Sequence, residues 1–139
     1  MAGAVLVDTG PLLAFVDDRD SWHSKCKSEF GQVRLPLITT YAVLTELFHL
    51  ALRRYGTMSG VWPVLRTGQI ALAPLGTADL PALDTLMTRY ADRPMDFADA
   101  TLVHVAQREA ISTILTIDHD DFETYRIGRR GRFRILPVR

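Results

Sequence analysis

One stretch decides the fold: Ala4-Val5-Leu6-Val7-Asp8-Thr9-Gly10-Pro11. An apolar run rich in Val and Leu ends on a carboxylate, and Gly-Pro follows two residues later. Such a run is typical of a strand buried on both faces, as in a parallel sheet with helices on each side. Gly-Pro is expected to break the strand and turn the chain. Asp8 should therefore stand at the carboxyl end of a central strand, where open α/β sheets hold their ligands.

The composition indicates one compact unit. The chain has 139 residues, of which 47% are hydrophobic and 9% aromatic. These values predict a single soluble globular domain over residues 1–139, with no membrane span and no signal peptide. Cys26 is the only cysteine in the sequence, which excludes an internal disulfide and a cysteine-built zinc site. We expect a cytoplasmic protein in a reducing compartment.

The charges balance overall but are unevenly distributed. The sequence has 16 basic and 16 acidic residues, and no acid follows Glu123. Six arginines crowd this end of the chain: Arg126, Arg129, Arg130, Arg132, Arg134 and Arg139. Arginine clusters suit phosphate through bidentate hydrogen bonds, so this segment predicts either nucleic-acid contact or a solubilising tail or partner interface.

Strand-like and helix-like patterns alternate along the chain, which predicts an α/β fold. We expect a mostly parallel central sheet of about four or five strands flanked by helices. Strands are expected near 4–7, 35–38, 70–72, 112–117 and 132–138. Helices are expected near 12–16, 21–30, 41–55, 57–67, 78–90 and 96–109, with a short helical turn at 120–122.

The helix predicted over 41–55 is apolar nearly all round, so we expect it to be packed on every side. Thr39 or Thr40 would cap its start, and Gly56 would end it. Glu46 is its only acid. A carboxylate inside an apolar surface is costly unless it is compensated. Glu46 should therefore either face a cleft that holds a cation or pair with a following arginine, Arg53 or Arg54.

Acidic residues recur at the points where elements begin or end. Asp8 and Asp118 each follow an apolar strand, so both should emerge at one edge of the sheet. Asp96 and Asp99 lie near the start of a helix, on one face. Each acid alone is compatible with a turn or a cap, but together with Glu46 they predict one crevice. Crowded carboxylates must protonate or bind a cation, and oxygen ligands select Mg²⁺ or Mn²⁺. Such a centre suits attack of water on a phosphodiester, with either one or two ions.

The ordered set of these motifs resembles the PIN domain, and more narrowly the VapC-type toxins of bacterial toxin–antitoxin modules. The resemblance covers essentially the whole chain. It is carried by Val5-Leu6-Val7-Asp8-Thr9-Gly10-Pro11-Leu12, Glu46, Asp96-Phe97-Ala98-Asp99-Ala100 and Leu115-Thr116-Ile117-Asp118-His119-Asp120-Asp121-Phe122. The resemblance implies an endoribonuclease that hydrolyses RNA phosphodiester bonds with Mg²⁺ or Mn²⁺.

The resemblance also implies roles for individual residues. The catalytic and metal-binding quartet maps onto Asp8, Glu46, Asp99 and Asp118. Asp8 and Asp99 resemble the principal ligands, Glu46 would ligate the metal or position the attacking water, and Asp118 would complete the site or hold a second ion. Three residues resemble supporting groups around these acids: Thr9, Asp96 and Thr116. Asp120 and Asp121 are expected only to cap the turn before Phe122.

The resemblance further implies a homodimer and a cognate antitoxin whose segment covers the cleft. The groove for that segment could come from Leu12–Phe15 and from the helix around Phe48, or these residues could be core. His119 could contact phosphate or lie in a solvated loop. Two other functions remain open: a non-catalytic PIN-like module that binds RNA or protein, and a phospho-acceptor receiver. A phospho-acceptor receiver requires a lysine late in the chain, whereas both lysines of this sequence lie before residue 30.

Overall fold

A five-stranded parallel sheet forms the centre of the molecule. The computed structural model describes residues 3–138. The strands are β1 Val5–Val7, β2 Leu37–Thr39, β3 Ile70–Leu72, β4 Thr113–Leu115 and β5 Arg134–Leu136. Their order in the sheet is β3-β2-β1-β4-β5, and every pairing is parallel. The predicted sheet is therefore confirmed, with β1 in its middle.

Helices connect the strands and cover the sheet. They are α1 Thr9–Val16, α2 His23–Phe30, α3 Tyr41–Tyr55, α4 Trp62–Arg66, α5 Leu80–Arg89, α6 Phe97–Glu109 and α7 His119–Thr124. All three residues of β1 are buried, as expected for a strand with packing on both faces. None of the helices described between residues 3 and 138 has the length and apolar character needed to cross a membrane.

The turn after β1 differs from the predicted break. Helix α1 begins at Thr9, three residues before the expected start, because Asp8 caps it by accepting a hydrogen bond from the Thr9 N–H at 2.8 Å. Pro11 falls in the first turn of this helix, where its missing N–H is not needed. The backbone at Gly10 lies close to the Ile117 side chain, since a Cβ added at Gly10 would lie 2.6 Å from Cγ1 of Ile117.

Helix α3 has the predicted bounds and caps. The Thr40 hydroxyl accepts the Val43 N–H, and Gly56 ends the helix with a φ of 70°. The expectation of packing on every side is wrong. Only Val43, Leu47 and Ala51 are buried, which is one stripe facing α1 and α6. The apolar residues on the other side of the helix remain partly or largely exposed.

Other elements are shorter than their patterns predicted. The helix expected over 57–67 is reduced to α4, and the one over 78–90 begins with a 3₁₀ turn, Thr77–Asp79. Strand β2 starts after Pro36, which cannot donate to the sheet, and it is an inner strand. Strand β4 ends at Leu115, and the Thr116 hydroxyl that follows accepts the Asp118 N–H within the next turn. Strand β5 is an edge strand, as predicted.

Candidate metal centre

The candidate site lies at the carboxyl ends of β1 and β4, which are neighbours in the sheet. Asp8 follows β1 directly, and its backbone N–H donates to the Leu115 carbonyl of β4 at 2.9 Å. Asp118 lies three residues after β4 and caps α7 by position. The first turn of α6 contributes Asp99. Three separate segments of the chain therefore deliver an acidic residue to this end of the sheet.

Asp8 is buried and both of its carboxylate oxygens are held. One oxygen accepts the Thr9 N–H at 2.8 Å and the other accepts the Thr116 hydroxyl at 2.9 Å. Burial, together with the smaller effect of the charges of Glu46 and Asp118, raises the pKa of Asp8 to about 6 despite these two bonds. The two hydrogen bonds thus fix the orientation of the Asp8 carboxylate, while neighbouring negative charges disfavour its ionised form.

Asp99 is also buried, with 7% of its surface exposed. Its Oδ2 accepts the Tyr125 hydroxyl at 2.9 Å, and its backbone N–H donates to Oδ1 of Asp96 at 2.8 Å. Burial raises the pKa of Asp99 to about 8, the charges of Asp8 and Asp96 add to the increase, and the Tyr125 bond opposes it. A neutral or cation-bound Asp99 is therefore favoured near neutral pH.

A compact set of acids includes one that the sequence analysis did not assign to the site. One carboxylate oxygen from each of Asp99, Asp118 and Asp121 lies within 4.8 Å of the others. Partial burial, followed by the hydrogen bond and charge of Asp121, raises the pKa of Asp118 to about 6. Asp121 also forms a 2.9 Å ion pair with Arg93. The signal for Asp121 was its spacing, since residues i and i+3 share a helix face.

Glu46 lies beside this set rather than within it. It is half-buried on α3, and its charge contributes to the raised pKa of Asp8. Among residues 3–138, neither of the two arginines proposed as its partner forms an ion pair with it; Arg54 instead lies 3.6 Å from Asp20. Glu46 faces a surface groove that Asp96 also lines. The alternative of an arginine pair is therefore wrong, and cation binding by Glu46 in this groove stays a prediction.

The three predicted supporting residues differ in their contacts. Thr116 links two acids, because its hydroxyl donates to Asp8 and accepts the Asp118 N–H. Asp96 caps α6 through the Asp99 N–H. Thr9 was expected to hydrogen-bond a carboxylate or phosphate, but its hydroxyl is buried without a hydrogen-bond partner within the described part of the chain.

The donor set suits a hard divalent cation. Every candidate ligand is a carboxylate oxygen, the donor that Mg²⁺ and Mn²⁺ prefer. Burial is the main cause of the raised pKa values of Asp8, Asp99 and Asp118, and repulsion from neighbouring acids raises each of them as well. A bound cation would relieve that repulsion directly, because it favours the ionised form of each acid. The residues present therefore fit a metal centre.

Three further expectations concern residues outside the acidic set. His119 is neither a solvated loop residue nor open to a ligand: it is buried, and its Nε2 lies 2.7 Å from the Pro137 carbonyl oxygen. Of the two alternatives for Leu12–Phe15, the core is confirmed for Leu12, Leu13 and Ala14, which are buried, whereas Phe15 is half-buried. Arg126 donates to the carbonyl oxygens of Glu123, Thr124 and Tyr125 at the end of α7, and Arg139 lies outside the described residues.

Comparison with known proteins shows which protein family the chain belongs to. The family model described as PIN domain matches residues 5–128. The chain therefore belongs to the PIN-domain family. Within it, the chain is similar to Ribonuclease VapC26 of Mycobacterium tuberculosis, with 30% identity over 135 residues, which are 96% of this chain and 100% of that protein.

A solved structure supports the same fold. The crystal structure of Mycobacterium tuberculosis VapC20, described as a toxin that cleaves the sarcin-ricin loop, superposes with a TM-score of 0.76. The match covers 84% of this chain and 92% of that one at 20% sequence identity. At that identity the likeness concerns the fold alone.

Proposed function

We propose that this chain is a metal-dependent endoribonuclease that hydrolyses RNA phosphodiester bonds and acts as the toxin of a bacterial toxin–antitoxin pair. The observation that carries the proposal is the set of three carboxylates within 4.8 Å at the end of the sheet, next to buried Asp8. Its similarity to a VapC ribonuclease over nearly its whole length supports the same reading. We also propose that it acts in the cytoplasm, where its RNA substrate would be found.

Asp8, Asp99 and Asp118 would hold Mg²⁺ or Mn²⁺, and Asp121 is close enough to share in the binding. A divalent cation bound there supplies the Lewis acidity that attack of water on a phosphodiester requires. Glu46 lines an open groove and its charge raises the pKa of Asp8, so we assign it to binding the metal or orienting the attacking water. Thr116 keeps Asp8 in one orientation by donating to its second oxygen.

The test is cleavage of a fluorogenic RNA by the purified protein with Mg²⁺, with Mn²⁺ and with EDTA. We expect cleavage with either ion and none in EDTA. Asp8→Asn and Asp99→Asn should each abolish cleavage while leaving the fold intact by circular dichroism. Asp84→Asn is the matched control, because Asp84 is an exposed acid on α5 outside the cluster.

Calorimetric titration with Mn²⁺ separates this proposal from a non-catalytic module. Binding that disappears in Asp99→Asn supports the nuclease. Folded protein that binds no Mn²⁺ and leaves every RNA intact would exclude the nuclease and favour a module that only sequesters RNA or protein.

We propose that the antitoxin binds in a groove along the exposed side of α3. Its apolar part has a volume of about 430 Å³ and is lined by Tyr41, Leu44, Thr45, Phe48, Trp62, Leu65, Ile70 and Leu72. Tyr41 and Thr45 also line the adjoining groove that contains Glu46 and Asp96. A bound segment can therefore lie on the apolar surface and extend to the acidic centre, where a basic side chain would find opposite charge.

Co-expression with the short reading frame next to this gene tests the antitoxin. We expect a stable complex in which cleavage is inhibited, and Trp62→Glu should release the inhibition without lowering cleavage. We also propose a homodimer, as the resemblance implies. Light scattering during gel filtration measures the mass of the free protein, and a monomer at micromolar concentration would contradict the homodimer.

A further inference from the structure

Tyr125 is the one tyrosine of the described chain whose hydroxyl contacts an acid of the metal centre. It follows α7 and is 1% exposed. Its hydroxyl donates to Oδ2 of Asp99 at 2.9 Å, inside the protein. The neighbouring Tyr90 uses its hydroxyl differently, as the acceptor of the Arg126 N–H.

The ring of Tyr125 is held on two sides. It packs edge-to-face with Tyr90 and with Phe122, each at a centroid distance of 5.1 Å. Packed aromatic rings leave little rotational freedom about the side-chain bonds. The position of the hydroxyl is therefore set by the core, and the direction of its hydrogen bond is set with it.

The hydrogen bond from Tyr125 restricts the orientation of the Asp99 carboxylate. Oδ2 is occupied by Tyr125, and the backbone N–H of Asp99 is tied to Asp96. A carboxylate with one oxygen held by a fixed donor presents its other oxygen in one direction. In metal sites, such outer hydrogen bonds orient the ligating group, and their loss typically weakens metal binding by 10–100-fold.

We propose that Tyr125 is a positioning residue that orients the Asp99 carboxylate for divalent metal binding, an inference that rests on the proposed function. Tyr125 does for Asp99 what Thr116 does for Asp8, since each hydroxyl donates to a single carboxylate oxygen. The difference is that Tyr125 directly follows α7, the helix that carries Asp121. Residues 119–125 therefore supply one acid and the orientation of a second acid.

The test compares Tyr125→Phe with Tyr90→Phe in the full chain. Both variants keep an aromatic ring and lose one hydroxyl in the same ring cluster, but only the first removes a bond to an acid. Mn²⁺ affinity is measured by calorimetry, and the melting temperature of the metal-free protein is measured in EDTA. We expect Tyr125→Phe to bind Mn²⁺ about 10-fold more weakly than the wild type, and Tyr90→Phe to bind it within twofold.

RNA cleavage gives a second measurement. Tyr125→Phe should need about 10-fold more Mn²⁺ for half-maximal activity, and saturating Mn²⁺ should recover most of the rate, because the ligands themselves are intact. A purely structural role would lower the melting temperature and leave Mn²⁺ affinity unchanged.

Two outcomes would count against the inference, and they are distinguishable. If the wild type binds Mn²⁺ and folded Tyr125→Phe binds it equally well, the positioning role is wrong and the proposed nuclease stands. If the folded wild type binds no Mn²⁺, the proposed function itself is wrong, and the inference is lost with it.

Discussion

Replacing Asp99 by asparagine should stabilise the metal-free protein at high pH and leave it nearly unchanged at low pH. The side chain is buried among other acids, and its Oδ2 accepts the Tyr125 hydroxyl. An asparagine amide has nearly the same shape and can still accept that bond through its oxygen. The substitution therefore removes a buried titratable charge with little change in packing.

The magnitude follows from the pKa of Asp99, which burial and the charges of Asp8 and Asp96 raise from 3.8 to about 8. The unfolded chain releases this proton near pH 4 and the folded chain releases it only near pH 8. The folded state therefore holds more protons in this window, so its free energy of unfolding is highest below pH 4 and falls as the pH rises to 8. Across pH 5 to 8, at about 1.4 kcal/mol per pH unit, the loss is at most about 4 kcal/mol.

The assay is thermal unfolding in EDTA at pH 5, 6, 7 and 8 for the wild type, Asp99→Asn and the exposed control Asp84→Asn. A difference of 2–4 kcal/mol corresponds to roughly 6–12 °C in a domain of this size. We expect the melting temperature of Asp99→Asn relative to the wild type to rise by about that amount between pH 5 and pH 8. The control should show no such rise.

A constant difference between Asp99→Asn and the wild type at every pH would refute the reasoning. It would mean that Asp99 is already ionised at pH 5 and that burial and neighbouring charge do not raise its pKa. A lower melting temperature for the variant at pH 8 would also contradict it, because the buried charge would then stabilise the fold.

Three further predictions concern stability and metal binding. Gly10→Ala should lower the free energy of unfolding, measured in urea, by about 1–3 kcal/mol, because the added Cβ would lie 2.6 Å from Cγ1 of Ile117. The same variant should weaken Mn²⁺ binding. Unchanged stability would show that Ile117 moves aside freely. Thr40→Ala should cost about 1–2 kcal/mol in the same measurement, since it removes the bonds to the Val43 N–H at 3.3 Å and to the Thr101 hydroxyl at 2.8 Å. Excess Mn²⁺ should raise the melting temperature of the wild type more at pH 8 than at pH 5, because protons compete for the same carboxylates; an equal rise at both pH values would contradict ligation by these acids.

Local patterns in the sequence were enough to predict the parallel sheet and the placement of the strand-end acids. An apolar run followed by an acid and a turn marks the carboxyl end of a strand, and β1 and β4 are neighbours, so Asp8 and Asp118 emerge together. The bounds of α3 also followed from local chemistry, because Thr40 and Gly56 supply its caps. These features depend on a few adjacent residues.

Features that depend on packing between distant segments could not be predicted. The apolar composition of α3 suggested burial on every side, but only one stripe meets α1 and α6. The bond from Tyr125 to Asp99 joins residues 26 positions apart, and no local pattern indicates it. His119 follows an expected site residue, yet it is buried, with its Nε2 2.7 Å from the Pro137 carbonyl oxygen. Sequence patterns predict where strands and helices begin and end. The contacts listed here depend instead on how those elements pack against one another.

The bond between the Thr116 hydroxyl and Asp8 spans 108 positions of the chain, and this separation matters during synthesis. Domains fold as units while the ribosome extends them. A nascent polypeptide that has emerged only as far as β3 has Asp8 but lacks β4, the neighbour that completes the middle of the sheet, and all of α7. Its acids cannot yet gather, so the proposed metal centre can form only after most of the chain has been translated.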